Sequence, residues 1–496
     1  ATTTIVDANV TTLIAAVVLY SVGTGPIKGF GVTLFLGIVM SMYTAIFCSR
    51  TVFDVAERRR TIKSLSFGSI LGETNIDFLG KRPIAIVLSL VVIGAGLFGV
   101  FSRGSNLLNI DFTGGSSVTM VLEEGAAKPI ADIEAALQDS LGDKNLVVVG
   151  RGDSLDDESV VNTRYTISSN VDSVEEVESL LAETFSGDLK TYELEIGEPE
   201  SYEEAGGSTG TLLPLAFNQS DEFSENDGLA HDALLERLTK IAGDQGHTGV
   251  LPQLENPDYT PGSSQRFKEW TLRVGLPADA TVAIAEQLKT DIAAEPLFPL
   301  ASKIGGRVAG DMQVKAISAI LLSLLGIIAY LWFRFQNLAY GLAAVVALVH
   351  DVLVTLGAIA LSAWLVSAVP ALASALQIDA FQISLPILAA FITIIGYSLN
   401  DTIVVFDRIR EVRGKSPRLT AEMINTSVNQ TLSRTLLTSL TTLIVVVILY
   451  FFGGAGIHAF AFALVVGVIV GTYSSIFVAS PALLAMAGTE SEAADE

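Results

Sequence analysis

The sequence predicts a polytopic α-helical membrane protein, with about eight spans and one α+β domain outside the bilayer. Three observations predict it: long apolar blocks, acidity confined to one internal segment, and basic residues gathered on alternate loops. The 496 residues are 50% apolar and 17% charged, with a formal charge of −23. A disordered polar chain is excluded, because such chains lack the apolar surface needed to order themselves. One cysteine, Cys48, excludes an internal disulfide framework and a Cys-rich metal site, and four histidines leave little for a His-based one.

The spans come first. A bilayer core needs about 20 apolar residues per helix. Eight stretches approach this: 8–24, 29–49, 83–102, 314–333, 338–366, 383–406, 436–452 and 457–485, of which the first is short. One apolar stretch alone reads equally well as a soluble core helix; eight in series do not.

Charge then sets orientation. Residues 103–312 hold fourteen Lys/Arg against thirty-eight Asp/Glu, and the rest of the chain holds sixteen against fifteen. Nucleic acid is therefore not an expected partner, since phosphate contacts need clustered cations. Lys and Arg mark cytoplasmic loops. Arg50, Arg58, Arg59, Arg60, Lys63, Lys81 and Arg82 lie between spans two and three. Arg334 lies between spans four and five, and Arg408, Arg410, Arg413, Lys415 and Arg418 between six and seven. Alternating spans put all three loops and both ends of the chain in the cytoplasm, and 103–312 outside. The start of the chain has no basic n-region or cleavage signature, so it reads as the middle of a protein rather than a signal peptide.

An internal repeat relates the first two spans to the last two. Thr11 to Ile14 recur at Thr441 to Ile444. With the same displacement Tyr20 falls on Tyr450, Gly23 on Gly453, Phe30 on Phe460, Gly37 on Gly467 and Tyr43 on Tyr473. Both copies run in the same direction across the membrane, which is a parallel repeat of the kind found in two-half transporters.

In the external segment, 116–122, 145–149 and 160–167 read as strands, and 130–141 and 174–185 as amphipathic helices. A β-α-β-β-α-β order suits a ferredoxin-like domain. The polar stretch 197–265, with its Gly run at 206–210, reads as an insertion or flexible loop; 266–274 and 278–292 resume strand and helix. The acidic surface is either a solvated face or a contact for an exported polypeptide.

Ionisable residues within spans are functional candidates by default. Asp401 is the strongest, roughly 9 Å inside the end of its span at 1.5 Å per residue. A carboxyl withdrawn from water favours its neutral form and so becomes able to exchange a proton. Arg434 opens the next span, running the opposite way, so the two can meet at similar depth; its approach and withdrawal would switch proton affinity. The alternative is a static ion pair or a solvated helix end. His350 and Asp351, in mid-span, read as a hydrogen-bonded packing pair or as a relay. Asp7 reads as an N-cap or first-turn acid. Ser398, Asn400 and Thr402 read as interhelical hydrogen-bonding groups. No motif for an enzyme is present.

Residues 396–411 read GYSLNDTIVVFDRIRE, 425–443 read NTSVNQTLSRTLLTSLTTL, 110–115 read IDFTGG and 348–352 read LVHDV. These runs resemble the SecF half of the SecD/SecF protein-export membrane proteins, of the RND superfamily. The opening TTTIVDANVTTLIAAVVLY is similar to the end of the SecD half. The resemblance implies a layout. Residues 1–55 are the last two SecD-like helices, 56–82 a basic cytoplasmic linker, and 83–102 the first SecF-like helix. The external domain at 103–312 is followed by five helices over 313–486 and an acidic cytoplasmic tail at 487–496. It also implies that Asp401 and Arg434 are the proton-coupling pair, with His350, Asp351, Asn400, Ser398, Thr402 and Asp7 as possible relay or support. The partners would be the Sec translocon channel, a preprotein, the lipid bilayer and the missing SecD-like portion. No metal or cofactor is implied beyond a transmembrane H⁺ or Na⁺ gradient. Asn109 stands where the family usually has Gly, and 197–265 exceeds the usual domain. The competing functions are an RND-type exporter of small molecules or lipids, and a scaffold for translocon subunits.

Overall fold

The computed structural model describes residues 2–23, 26–59, 72, 74–144, 146–151, 163–203, 209–219, 223, 227–247, 249–263, 265–416 and 418–493. They divide into a helical unit, Ala1–Thr113 with Gly306–Glu496, and an α/β unit, Gly114–Gly305.

The helical unit opens with α1 (Thr2–Val22) and α2 (Pro26–Tyr43). A π-helical turn (Thr44–Cys48) leads from α2 into α3 (Ser49–Arg58). Arg60 and Lys63 of the basic linker lie outside the described residues. Next come α4 (Arg82–Arg103) and the single turn α5 (Ile110–Thr113). Apolar blocks of this length form helices because a helix satisfies every backbone polar group within its own segment, as lipid demands.

The α/β unit begins β1 (Gly115–Val121), α6 (Ile130–Leu141), β2 (Val147–Arg151), β3 (Arg164–Ser169), α7 (Val174–Thr184). The expected strand positions at 145 and 160–162 lie outside the described residues. Gly114 and Gly115 take positive φ at the start of β1, and a Cβ on Gly115 would meet the Ser169 carbonyl at 2.1 Å, so only glycine fits there. Along β3, Tyr165, Ile167 and Ser169 turn inward and alternate residues do not. Ser173 caps α7 by accepting the Glu176 N–H.

The chain continues as β4 (Leu194–Ile196), β5 (Glu200–Glu203), β6 (Thr209–Phe217), β7 (Leu229–Ala230), α8 (His231–Asp244), β8 (Gln253–Glu255), β9 (Arg266–Phe267), β10 (Glu269–Val274), α9 (Ala278–Ile292) and β11 (Leu300–Ile304). The stretch 197–265 is thus not a loop: its described residues supply β5 to β8 and α8. β5, β7 and β8 are short, and Pro214 breaks the polar alternation of the nine-residue β6 while Leu213, Leu215 and Phe217 still face inward. They pack with Leu234, Leu238, Trp270 and Leu288 into a second core. The Gly run at 206–208 lies outside the described residues.

The two larger sheets run β11-β1-β3-β2 and β4-β6-β10-β8, with β5 also on β6, and β7 pairs β9 apart from them; all pairings are antiparallel. The order β6-α8-β8-β10-α9 repeats β1-α6-β2-β3-α7. Each array is a ferredoxin-like β-α-β-β-α-β completed by the other's last strand. β4, which follows α7, lies beside β6; β11, which follows α9, lies beside β1.

The chain returns to the helical unit as α10 (Gly306–Phe335), α11 (Leu338–Ala368), α12 (Pro370–Ala375), α13 (Leu385–Arg413), α14 (Ala421–Phe452), α15 (Ala455–Ser474), a π-helical turn (Ser475–Ala479) and α16 (Ser480–Ala493). Asn337 and Thr420 cap α11 and α14 by accepting the N–H groups of Ala339 and Met423. Among the described residues seven helices are long and apolar enough to cross a membrane. The apolar part of α1, Asn9–Ser21, falls short, so the expected eight are seven and one shorter helix. The expected tail at 487–496 is helical to Ala493, and 494–496 lie outside the described residues.

The repeat reaches into backbone geometry. The π-helical turns at Thr44–Cys48 and Ser475–Ala479 lie within one residue of equivalent places. Phe30 and Phe460, repeat equivalents, touch edge to face at 5.5 Å. Contact between equivalent residues places them beside the axis that relates the copies.

Candidate functional site

Helix α13 lies at the centre of the helical unit and carries Asp401, which is 6% exposed. Ser439 Oγ of α14 donates to Asp401 Oδ2 at 2.9 Å, and Thr438 Oγ1 reaches Oδ1 at 3.3 Å. Thr472 Oγ1 of α15 donates to Ser439 Oγ at 2.7 Å, so three helices share the cluster. Within a turn of it, Asn400 Oδ1 and Thr435 Oγ1 are buried with no hydrogen-bond partner. Burying such atoms unpaired costs about 1–3 kcal/mol each, which marks the neighbourhood as one that favours water or an ion.

Arg434 lies one turn from Thr438 on the same helix; it is exposed, and its charge acts on Asp401 without a hydrogen bond between them. The hydrogen bonds to the carboxylate come from hydroxyls, and the guanidinium acts on it from farther off.

A second acid is more deeply buried. Asp351 of α11 is 0% exposed. It is bonded to His350 Nδ1 at 3.0 Å, to Ser398 Oγ of α13 at 2.5 Å and to Ser474 Oγ of α15 at 2.8 Å. His350 Nε2 meets Ser89 Oγ of α4 at 2.9 Å, and Ser89 Oγ lies 3.2 Å from Tyr473 Oη. Thus Ser398 does join helices, whereas Thr402 bonds the Ser398 carbonyl within its own helix. A β-hydroxyl can satisfy itself on the preceding turn, which is why Thr402 is not interhelical.

Asp7 is neither an N-cap nor a first-turn acid. It lies in the second turn of α1, 6% exposed, paired with Arg334 Nε of α10 and accepting from Tyr330 Oη at 2.8 Å. Arg334 also faces Asp407 of α13 at 3.7 Å. A buried carboxylate needs a counter-charge, and that need overrides the helix-end reading.

Several working residues escaped the sequence reading. Asp111 Oδ2 accepts the Leu385 N–H at 3.0 Å and so caps α13 from elsewhere in the chain. Burial pushes its carboxyl above the ordinary value, against that hydrogen bond. Asn425 accepts the Phe78 and Leu79 N–H groups, and Asn429 bonds both Ile76 N–H and carbonyl, so α14 grips the segment before α4. The i, i+4 spacing of the two asparagines was the available signal. Gly467 and Gly471, another i, i+4 pair, bring α15 onto Ile394 and Ser398, where added Cβ atoms would sit at 2.4 and 3.1 Å.

The fold and these groups define a multi-pass membrane protein with acids buried among its helices. The profile described as protein export membrane protein SecD/SecF, C-terminal, matches residues 284–489. The translocase subunit SecF of Koribacter versatilis is 34% identical over 83% of this chain and 92% of its own length. The chain belongs to the SecD/SecF family. SecDF of Thermus thermophilus is 27% identical across 98% of this chain and 48% of its own. The crystal structure of SecDF from that organism, described as a translocon-associated membrane protein, matches with a TM-score of 0.56 at 25% identity, over 98% of this chain and 48% of that one. The chain therefore spans about half the length of the SecDF relatives it matches.

Proposed function

We propose that this chain is part of a SecDF-type accessory subunit of the Sec protein-export machinery of a bacterial plasma membrane. Its role is transport rather than catalysis, and its partners are the translocon channel, a preprotein and a SecD-like portion. The basic loops and both ends face the cytoplasm, and the acidic α/β unit faces outside. The driving ion is H⁺, taken up and released at Asp401.

The observation that carries this reading is the setting of Asp401. A buried carboxyl held by two hydroxyls of α14, one of them backed by Thr472 of α15, can gain or lose a proton without losing its partners. Arg434, on the same helix as those hydroxyls and without a hydrogen bond to Asp401 here, is the group whose approach would expel the proton. Movement of α14 would therefore couple proton occupancy to helix position.

The test is preprotein translocation into inverted membrane vesicles by the full-length assembly, with an imposed proton gradient. Asp401→Asn keeps the side-chain shape and should abolish the gradient-dependent part of export while the protein stays inserted. Unchanged gradient-dependent export in that variant would sink the proposal, as would stimulation by a sodium gradient in the absence of a proton gradient.

A further inference from the structure

His458, near the start of α15, faces two oxygens that have no proton to offer. Its Nδ1 lies 3.0 Å from the Tyr450 carbonyl, and its Nε2 lies 2.7 Å from the Gln377 carbonyl. A neutral imidazole carries one N–H and one lone pair, so it can satisfy only one of these oxygens and sets its lone pair against the other. The ring that satisfies both is the imidazolium.

The surroundings suit a cation. Asp379 Oδ2 lies 3.7 Å from Nε2. The ring stacks on Tyr450 with centroids 4.4 Å apart and leans over Phe381 at 5.5 Å, as aromatic faces do around cations. The Tyr450 carbonyl is among the last four of α14, which lack helical partners and carry the negative end of the helix dipole. The side chain is 14% exposed, so water reaches it only partly. The other titratable or charged groups beside the site are Tyr450 itself and Arg103 of α4; His350 and Asp351 of α11, Tyr397 and Asp401 of α13 and Arg434 of α14 lie several turns farther along their helices. Tyr450 Oη donates to the Leu376 and Gln377 carbonyls. Arg103 is held by backbone oxygens, among them that of Phe381 at 2.7 Å. α15 adds only Tyr473, bonded at its far end to Ala85.

We propose that His458 is a proton-binding site which, when doubly protonated, clamps the turn at 376–379 onto the end of the α14–α15 hairpin. Loss of the Nε2 proton sets that nitrogen's lone pair against the Gln377 carbonyl, and the turn is released there. The site lies between α11 and α13 at the end of the helical unit away from Arg408–Arg418. With the orientation proposed above, it faces the acidic side of an energised membrane; the binding argument itself does not depend on that orientation.

The test is ¹⁵N-histidine NMR with amide hydrogen exchange on the full chain in lipid nanodiscs, from about pH 5.5 to 8, the range in which histidine changes charge. Assignment uses His458→Gln. The expected result is a ring with both N–H protons at the acid end and one at the other. The amides of Ile378 and Phe381 should lose about tenfold protection across that step, beyond the chemical trend of exchange. His458→Gln should abolish the step. A ring carrying one N–H throughout, or a protection step that survives in His458→Gln, would overturn the proposal. Neither readout involves export, so it fails or stands apart from the role of Asp401.

Discussion

Replacing Arg334 by Met should destabilise the helical unit by about 3 kcal/mol. Arg334 ties α10 to Asp7 of α1 and faces Asp407 of α13. Methionine keeps much of the stem and removes the charge. Asp7, 6% exposed, then keeps only the neutral Tyr330 hydroxyl among the partners described here. Removing one partner of a buried ion pair costs about 3–5 kcal/mol, because the other charge stays buried. The Arg334 side chain is 21% exposed, which admits some water and places the loss at the lower end. That is roughly 150-fold in the folding constant. Asp7→Asn should cost less, about 1–2 kcal/mol, since Arg334 still faces Asp407 and Asn still accepts from Tyr330. The double variant should fall short of the sum by about 1–2 kcal/mol, as expected of residues in direct contact. The assay is equilibrium unfolding in mixed micelles, followed by tryptophan fluorescence; Trp332 lies two residues from the site. A change under about 0.5 kcal/mol for Arg334→Met, or strict additivity with Asp7→Asn, would refute the reasoning.

Two further predictions use packing and pH. A Cβ on Gly96 of α4 would sit 2.6 Å from the Gly357 Cα of α11, backbone against backbone. Gly96→Val should therefore separate the helices at a cost of about 1–3 kcal/mol. Gly94→Val, with nothing within 4 Å, should leave thermal stability in detergent unchanged; equal losses in both would contradict the close crossing. The Gly80 N–H and the Asn425 amide hold the Asp77 carboxyl below its ordinary value. A depressed acid contributes stability above its unfolded value, near 4, that is lost as pH falls through the lower folded value. Amide exchange at Phe78 and Leu79 should accelerate below about pH 4 relative to the chemical rate, and Asp77→Asn should remove that dependence. An acid transition that persists in the variant would exclude Asp77 as its source.

The helices were legible because hydropathy acts over whole segments, and α6 and α9 start and stop where their apolar period does. The loop alternative for 197–265 fails because β5, β7 and β8, each four residues or shorter, are too short for alternation to show in the sequence. Asp401 and Asp351 were recognisable as isolated acids in apolar spans. Of their partners only Ser398 was; Ser439 and Ser474 look like ordinary small residues until α13, α14 and α15 are brought together.

Local chemistry alone thus determined that this chain is membrane-spanning, that its acidity is external to the apolar spans, and that its first and last helix pairs are copies. All three properties are sums or alignments along the chain, and none needs a contact. The tertiary structure decided who faces whom: Arg334 beside Asp7, the hydroxyls of Ser439 and Thr438 on Asp401, and β4 and β11 exchanged between two ferredoxin-like arrays. The physical reason is that a buried charge or an unpaired strand edge takes whichever partner the packing delivers, and that partner is set by crossings between helices and strands far apart in sequence.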